Sequence, residues 1–345
     1  MASSMDELER TAVQLWEAQR LADYEDIAHG RLALLLLDNA AETCLMRSTQ
    51  NSFIYAEMYR NMAYLLRDVD PHDVEGQRLK AEIDAKALSK RRRRQIERNF
   101  DDLVDYVFTQ DDFGLKSEFA ECLKILHRYR NAAYHRDTVR PDVLGPAVQI
   151  YFFLCCHLLR HERHVIHEIN QIPTAVKEIF GDQVPASMWP HGAIDSAALG
   201  EELADFFLHT RGLDHVGVAS ALSAHLLGRL AALDHHLDRI GESVPPGIKR
   251  WAVLQLVQQL PVDREDAERK PPADFWTRPV PVTEEVLAAW KAAATKLRNV
   301  EIAYDALRQF AAVEQPLEQL EEPVGRFIDD IERADQQAFD EMRGK

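Results

Sequence analysis

The sequence predicts an all-α protein. Ala, Leu, Glu and Arg dominate it, and runs of β-branched residues alternating with polar ones are absent. Apolar residues recur instead at spacings of three and four, the period of a helix with one buried face. A chain of 345 residues has room for two domains of ordinary size. Twelve of its fifteen prolines fall after residue 170, which places the change of character there. The reading is an N-terminal helical bundle over 1–170, a linker over 171–197 and a second helical domain over 198–345.

In chain order, residues 5–22 form a first amphipathic helix through Leu8, Val13, Leu15 and Trp16. Gly30 marks a break, and a strongly apolar helix follows over 31–47. Another covers 52–67 and ends before Asp70-Pro71, because proline disfavours helix at the residue before it. A long polar helix is expected over 73–109. The next helix, 113–137, carries the stripe Leu115, Phe119, Cys122, Leu126, Tyr129, Ala133 toward a core. Pro141 suits the first turn of a helix over 141–169. Pro173, Pro185 and Pro190, with Gly181 and Gly192, mark the linker. Beyond it, helices are expected near 197–210, 214–240, 248–260, 283–313 and 317–342. Trp189, Trp251, Trp276 and Trp290 read as core or interdomain anchors.

With 46% hydrophobic and 28% charged residues, the chain reads as soluble and globular. Cys44, Cys122, Cys155 and Cys156 lie in apolar helical contexts without Cys-x-x-Cys spacing, so buried free thiols are expected, in a reducing compartment. The charged N-terminus does not resemble a signal peptide, and an apolar run such as 32–37 is far too short to span a bilayer. A cytoplasmic location without membrane partners is the expectation. The net charge of −16 argues against a surface that coats nucleic acid nonspecifically. The imbalance is uneven. Residues 1–170 carry 23 Lys and Arg against 28 Asp and Glu, and the remainder 18 against 29. A polyanion site belongs more naturally in the first half.

One stretch concentrates chemistry there: Leu126-His127-Arg128-Tyr129-Arg130-Asn131-Ala132-Ala133-Tyr134-His135-Arg136-Asp137. Histidine titrates near neutral pH and suits general acid–base work, and arginine offers a planar fork to phosphate oxygens. Together they suffice for metal-free RNA cleavage in which the 2′-hydroxyl is the nucleophile. Arg130 and His135 are five apart, about 140° around a regular helix. They converge only where the helix loosens at its end or where a second copy of the chain completes the site. A plainer reading stands beside this one: Arg and His near a helix C-terminus bond its last free carbonyls.

Arg130-Asn131-Ala132-Ala133-Tyr134-His135 resembles the Arg-polar-x-x-x-His motif of the HEPN superfamily. These are small helical bundles, many of them metal-independent endoribonucleases of toxin–antitoxin, abortive-infection and CRISPR systems. Leu36-Leu37-Asp38-Asn39-Ala40-Ala41-Glu42 resembles the acid-bearing early helix of that family. The resemblance covers about 24–170. It implies a HEPN-like bundle, a homodimer with two motifs across a two-fold axis, and an RNA substrate cut to a 2′,3′-cyclic phosphate. No metal or other cofactor is implied. His135 would act as general acid or base, Arg130 would hold the scissile phosphate, and Asn131 would bond the phosphate or orient His135. Tyr134 would be a secondary contact. An antitoxin or regulatory protein would be a further partner. Other readings of the same scaffold are a non-catalytic interaction protein and a nucleotide binder.

Asp38 and Glu42 are one turn apart in an apolar helix. A buried carboxylate needs a partner, and Arg130 is the candidate; the alternative is a polar helix edge. Arg91, Arg92, Arg93 and Arg94 either guide RNA by local charge or form a solvated face paired with nearby acids. His157, His161, His164 and His167 have a spacing that suggests zinc, but no motif completes it. Asp234-His235-His236-Leu237-Asp238 suggests metal only superficially. On this reading, alanine at Arg130 or His135 leaves the fold intact.

Overall fold

The computed structural model describes residues 4–110, 114–135, 141–161, 173–181, 196–244, 248–259 and 274–344. Those residues form helices and connecting turns with no strand, so the protein is all-α. By internal contacts the chain divides into two units, 1–214 and 215–345.

The first unit is built on α2, Ile27–Leu65, against which α1, Ser4–Ala22, packs. The two helices expected at 31–47 and 52–67 are this one continuous helix. Its N-cap is Asp26, whose side chain accepts from His29 N–H at 2.9 Å. Gly30 therefore lies in the first turn and breaks nothing. Its lack of a side chain serves packing: a Cβ there would meet Leu144 Cδ2 at 2.8 Å.

The polar helix expected over 73–109 is three helices: α3, Val74–Lys86, α4, Lys90–Arg98, and α5, Phe100–Phe108. Two capping residues divide it. Ser89 accepts from Arg92 N–H and Asn99 from Asp102 N–H, each with extended backbone; the extended Ala87 ends α3, and Asn99 itself ends α4. The short helices let α5 turn Phe100, Leu103, Val104 and Val107 into the core.

The motif helix is α6, Ser117–His135, and α7 is Pro141–Arg160, with Pro141 at its first position as expected. Phe119, Cys122, Leu123, Ile125 and Leu126 are the buried face of α6. α7 packs on α2 and supplies the densest core: Ile150, Tyr151, Leu154, Cys155 and Cys156 are fully buried. All four cysteines are buried free thiols. Cys155 Sγ donates to the Leu37 carbonyl at 3.3 Å, and burial pushes its acidity well below that of an ordinary thiol.

The expected linker contains a helix, α8, Thr174–Phe180, which packs on α1. The rest of 171–197 lies largely outside the described residues. α9, Ser196–Thr210, packs on α7 and α1 rather than with the helices that follow. The boundary therefore falls after residue 214, not at 198.

The second unit comprises α10, His215–Ser243, α11, Arg250–Gln259, α12, Glu284–Leu297, and α13, Ala303–Met342, with a 3₁₀ turn at Phe275–Thr277. The break expected around Pro316 falls instead at 298–302, and α13 runs through Pro316 and Pro323. α10 and α13 pair along a buried seam, Leu226, Leu230 and Leu237 with Phe310, Leu317 and Leu320. Arg229 crosses that seam to Glu314 and Glu321. Trp251 and Trp276 meet edge to face at 6.2 Å and are each nearly half exposed, so neither is a core anchor. By length and composition alone, α7 and α10 are apolar enough to cross a membrane.

The Asn99 cap separates α4 from α5. Asn99→Ala removes the acceptor for Asp102 N–H and is expected to lower unfolding free energy by about 1 kcal/mol, measured by chemical denaturation.

Candidate functional site

The site begins with a carboxylate in the wrong place. Asp38 lies on the apolar face of α2, next to Leu37 and one turn from Leu34, and is fully buried. A charge there is tolerable only with several compensating groups. Tyr151 of α7 donates its hydroxyl to Asp38 Oδ1 at 2.7 Å. His127 Nδ1 lies 2.8 Å from the same oxygen. A carboxylate only accepts, so Nδ1 carries the proton. Arg130 Nε stands 3.1 Å from Asp38 Oδ2. That contact is close enough for an ion pair, but its alignment falls short of a hydrogen bond. The attraction is therefore chiefly coulombic.

Helical geometry explains the convergence. His127 and Arg130 are three apart and share the face of α6 that looks toward α2. Phe100 of α5 lies flat on the His127 ring, with centroids 4.1 Å apart and planes 7° from parallel. Tyr151 comes from the buried face of α7. Burial, and then the charge of Asp38, raise its hydroxyl pKa well above the ordinary value. Tyr151 is therefore a permanent neutral donor.

The expected partnership of Asp38 and Arg130 is thus present. Arg130 also donates from Nη1 to Asn131 Oδ1 at 2.8 Å and lies 5.7 Å from the Tyr134 ring centroid. Its side chain is 28% exposed, and Tyr134 is 64% exposed. Arg130, Asn131 and Tyr134 form one partly open cluster at the end of α6. Glu42 is not in it: one turn beyond Asp38, it is exposed. His135 is the last residue of α6, and its side chain lies outside the described residues. The helix is continuous from Arg130 to His135, so the two backbone positions stand about 140° apart around its axis.

The basic run divides. Arg92 pairs with Asp102, and Arg93 pairs with Glu97 at 2.8 Å while its guanidinium covers Phe53. Arg91 and Arg94 are exposed. Half of the run is therefore committed to holding α4 in place.

Among the described residues no group of His, Cys, Asp and Glu is arranged to hold a metal. His157 packs against Phe119 and Phe153, and His161 Nδ1 lies 2.9 Å from the His157 carbonyl oxygen. His164 and His167 lie outside the described residues. In the second unit, Asp234 pairs with Arg250 and Lys291, and Asp238 with Arg250 at 2.7 Å. Those acids are neutralised by cations.

Sequence reasoning missed two members of the network, His127 and Tyr151. Both left a signal. His127 stands one turn before Arg130 on the same face, and a tyrosine inside Ile150-Tyr151-Phe152-Phe153 must find a partner for its hydroxyl. Compared with known protein families, curated proteins and solved structures, the chain finds no match.

Arg130 now has a structural duty. Arg130→Ala leaves Asp38 short of its cation and is expected to destabilise the protein by roughly 3 kcal/mol, the low end for a broken buried pair because water reaches the vacated space. Tyr151→Phe is expected to cost about 1–3 kcal/mol. Combining Arg130→Ala with Asp38→Asn should recover part of the loss, since the two changes address one charge. Denaturation of the four proteins checks all three outcomes.

His157 has its pKa lowered to about 4, first by burial and then by the charge of Arg160. Below the ordinary histidine value of about 6.5 the unfolded chain takes up this proton and the folded one does not. Stability is therefore lost as pH falls from 6.5 toward 4. His157→Gln is expected to flatten that part of the profile, read as denaturation midpoints at pH 7 and pH 4.5.

Proposed function

We propose that the protein is a metal-independent endoribonuclease of HEPN type, working in the cytoplasm as a toxin or defence effector. The observation that carries this reading is the placement of Arg130. It sits near the end of α6, with α7 starting at Pro141, and a buried acid from an early helix pairs with its guanidinium. That arrangement suits an arginine that must meet a phosphate in one orientation.

In the proposed reaction, the 2′-hydroxyl of the RNA attacks the adjacent phosphorus. The P–O5′ bond breaks, giving a 2′,3′-cyclic phosphate and a 5′-hydroxyl. His135 takes the 2′-proton or supplies a proton to the departing 5′-oxygen. Arg130 stabilises the added charge on the phosphate, with Asn131 and Tyr134 beside it. α6 stays helical through His135, so the two backbone positions stand about 140° apart around its axis. The reading therefore requires two chains, with Arg130 of one serving beside His135 of the other. Arg91 and Arg94 are the members of the basic run free to guide RNA. An antitoxin or regulatory protein would restrain the activity.

A second reading has its own observation in favour. Arg130 is engaged by Asp38, Asn131 and Tyr134, which is what a purely structural arginine would show. On that view the protein is a non-catalytic helical scaffold, or holds a nucleotide without cutting.

The discriminating variant is His135→Ala, since Arg130→Ala also weakens the fold. Incubated with 5′-labelled RNA in EDTA, the protein is expected to release fragments with 2′,3′-cyclic ends. His135→Ala and Arg130→Lys are expected to lower the rate by at least about a hundredfold, the usual scale for a lost general acid or base. Cleavage by His135→Ala at the parental rate removes this assignment, and a protein that never cuts RNA supports the scaffold.

A further inference from the structure

We infer that the first unit contains a binding site for a small amphipathic amine, in the cavity between the α1–α2 turn and the first turns of α7. The cavity measures about 350 Å³, within the range of small-molecule sites. It is separate from the Arg130 cluster, and nothing in the proposed ribonuclease chemistry uses it.

Its walls are apolar: Ala22, Ile27, Leu144, Val148 and Phe152. Gly145 opens the space, because a Cβ there would meet nothing within 4 Å. The polar groups are unevenly matched. Among the described lining residues the one cation, Arg211, is already occupied. Its Nη1 donates to the Gln19 carbonyl at 2.9 Å, and its Nη2 pairs with Asp23.

At the rim stand two acids. Asp26 accepts from His29, and those hydrogen bonds hold its carboxyl below the usual range, so it is ionised near neutral pH. Glu25 is exposed and has a φ of 53°, the left-handed region that an ordinary residue rarely adopts. Such strain turns the chain sharply between α1 and α2 and keeps Glu25 at the mouth. The charged groups left at the rim are therefore acidic, and among the described lining residues an anion finds the cation taken. A ligand with a hydrocarbon or aromatic body and an ammonium head suits both features: the body against the apolar walls, and the N–H groups toward Glu25.

Tryptamine and indole-3-acetate test this, because they share one ring system and carry opposite charges. Titrated calorimetrically into the full-length protein at neutral pH, tryptamine is expected to bind at one site. Indole-3-acetate is expected to bind at least about tenfold more weakly, which is 1.4 kcal/mol. Gly145→Leu and Ala22→Phe fill the cavity from two sides and are expected to abolish tryptamine binding. Gly145→Leu also improves helix propensity, so its fold should be retained. Glu25→Gln is expected to weaken tryptamine severalfold without affecting RNA cleavage. No heat with tryptamine at millimolar concentration overturns the inference. Equal binding of the two probes, or binding unchanged in both filled variants, overturns it too.

Discussion

A single buried charge sets the terms for the first unit. Asp38 lies within the packed face of α2, where an uncompensated carboxylate would cost more than most domains have to spare. Its partners come from two other helices, His127 and Arg130 from α6 and Tyr151 from α7. The contacts of His127 and Tyr151 are directional hydrogen bonds. Rotating α6 by one residue, about 100°, would carry both of its partners away from Asp38. Apolar packing tolerates such adjustments far better. The network therefore specifies how α2, α6 and α7 face one another, whatever it adds in net stability.

This changes what the arginine of the motif means. On a bare helix, Arg130 would be a long flexible cation, and holding it for catalysis would cost side-chain entropy at every turnover. Here Asp38 takes one edge, Asn131 meets another nitrogen, and Tyr134 lies near the guanidinium. That entropy is spent on folding instead. The same facts impose a penalty on the chemistry: an anion at Arg130 shares the guanidinium with a carboxylate 3.1 Å from Nε. On the ribonuclease reading the outer nitrogens would do the phosphate binding, which would fix the direction of approach.

Much of this was legible in the sequence, and the reasons for what was not are specific. The all-α class, the motif helix and Pro141 at the start of α7 follow from period and proline chemistry, which are local. The Asp38–Arg130 pair was legible because a charge in an apolar run demands a cation. The division of 73–109 was not, because Ser89 and Asn99 act as caps only when their own backbone is extended, and neither residue forces that. Gly30 misled for the opposite reason: it reads as a breaker along the chain, yet what requires it is Leu144, more than a hundred residues away. The domain boundary was misplaced because prolines mark loops, whereas membership of a unit is decided by packing. α9 follows a proline-rich stretch and still belongs to α7.

The regularity of α6 carries the argument furthest. An unwound end after Arg130 would make the motif a statement about local geometry. Because α6 stays helical to His135, the two backbone positions of the motif stand on different sides of one helix. Arg130 is tied to its own α2 and cannot swing around the helix toward His135 without abandoning Asp38. On the ribonuclease reading, catalysis by this pair would therefore depend on a partner chain supplying the other residue, and its rate should fall with dilution below the dimer dissociation constant. On that reading the buried acid beside the arginine would also be what denies the single chain an active site.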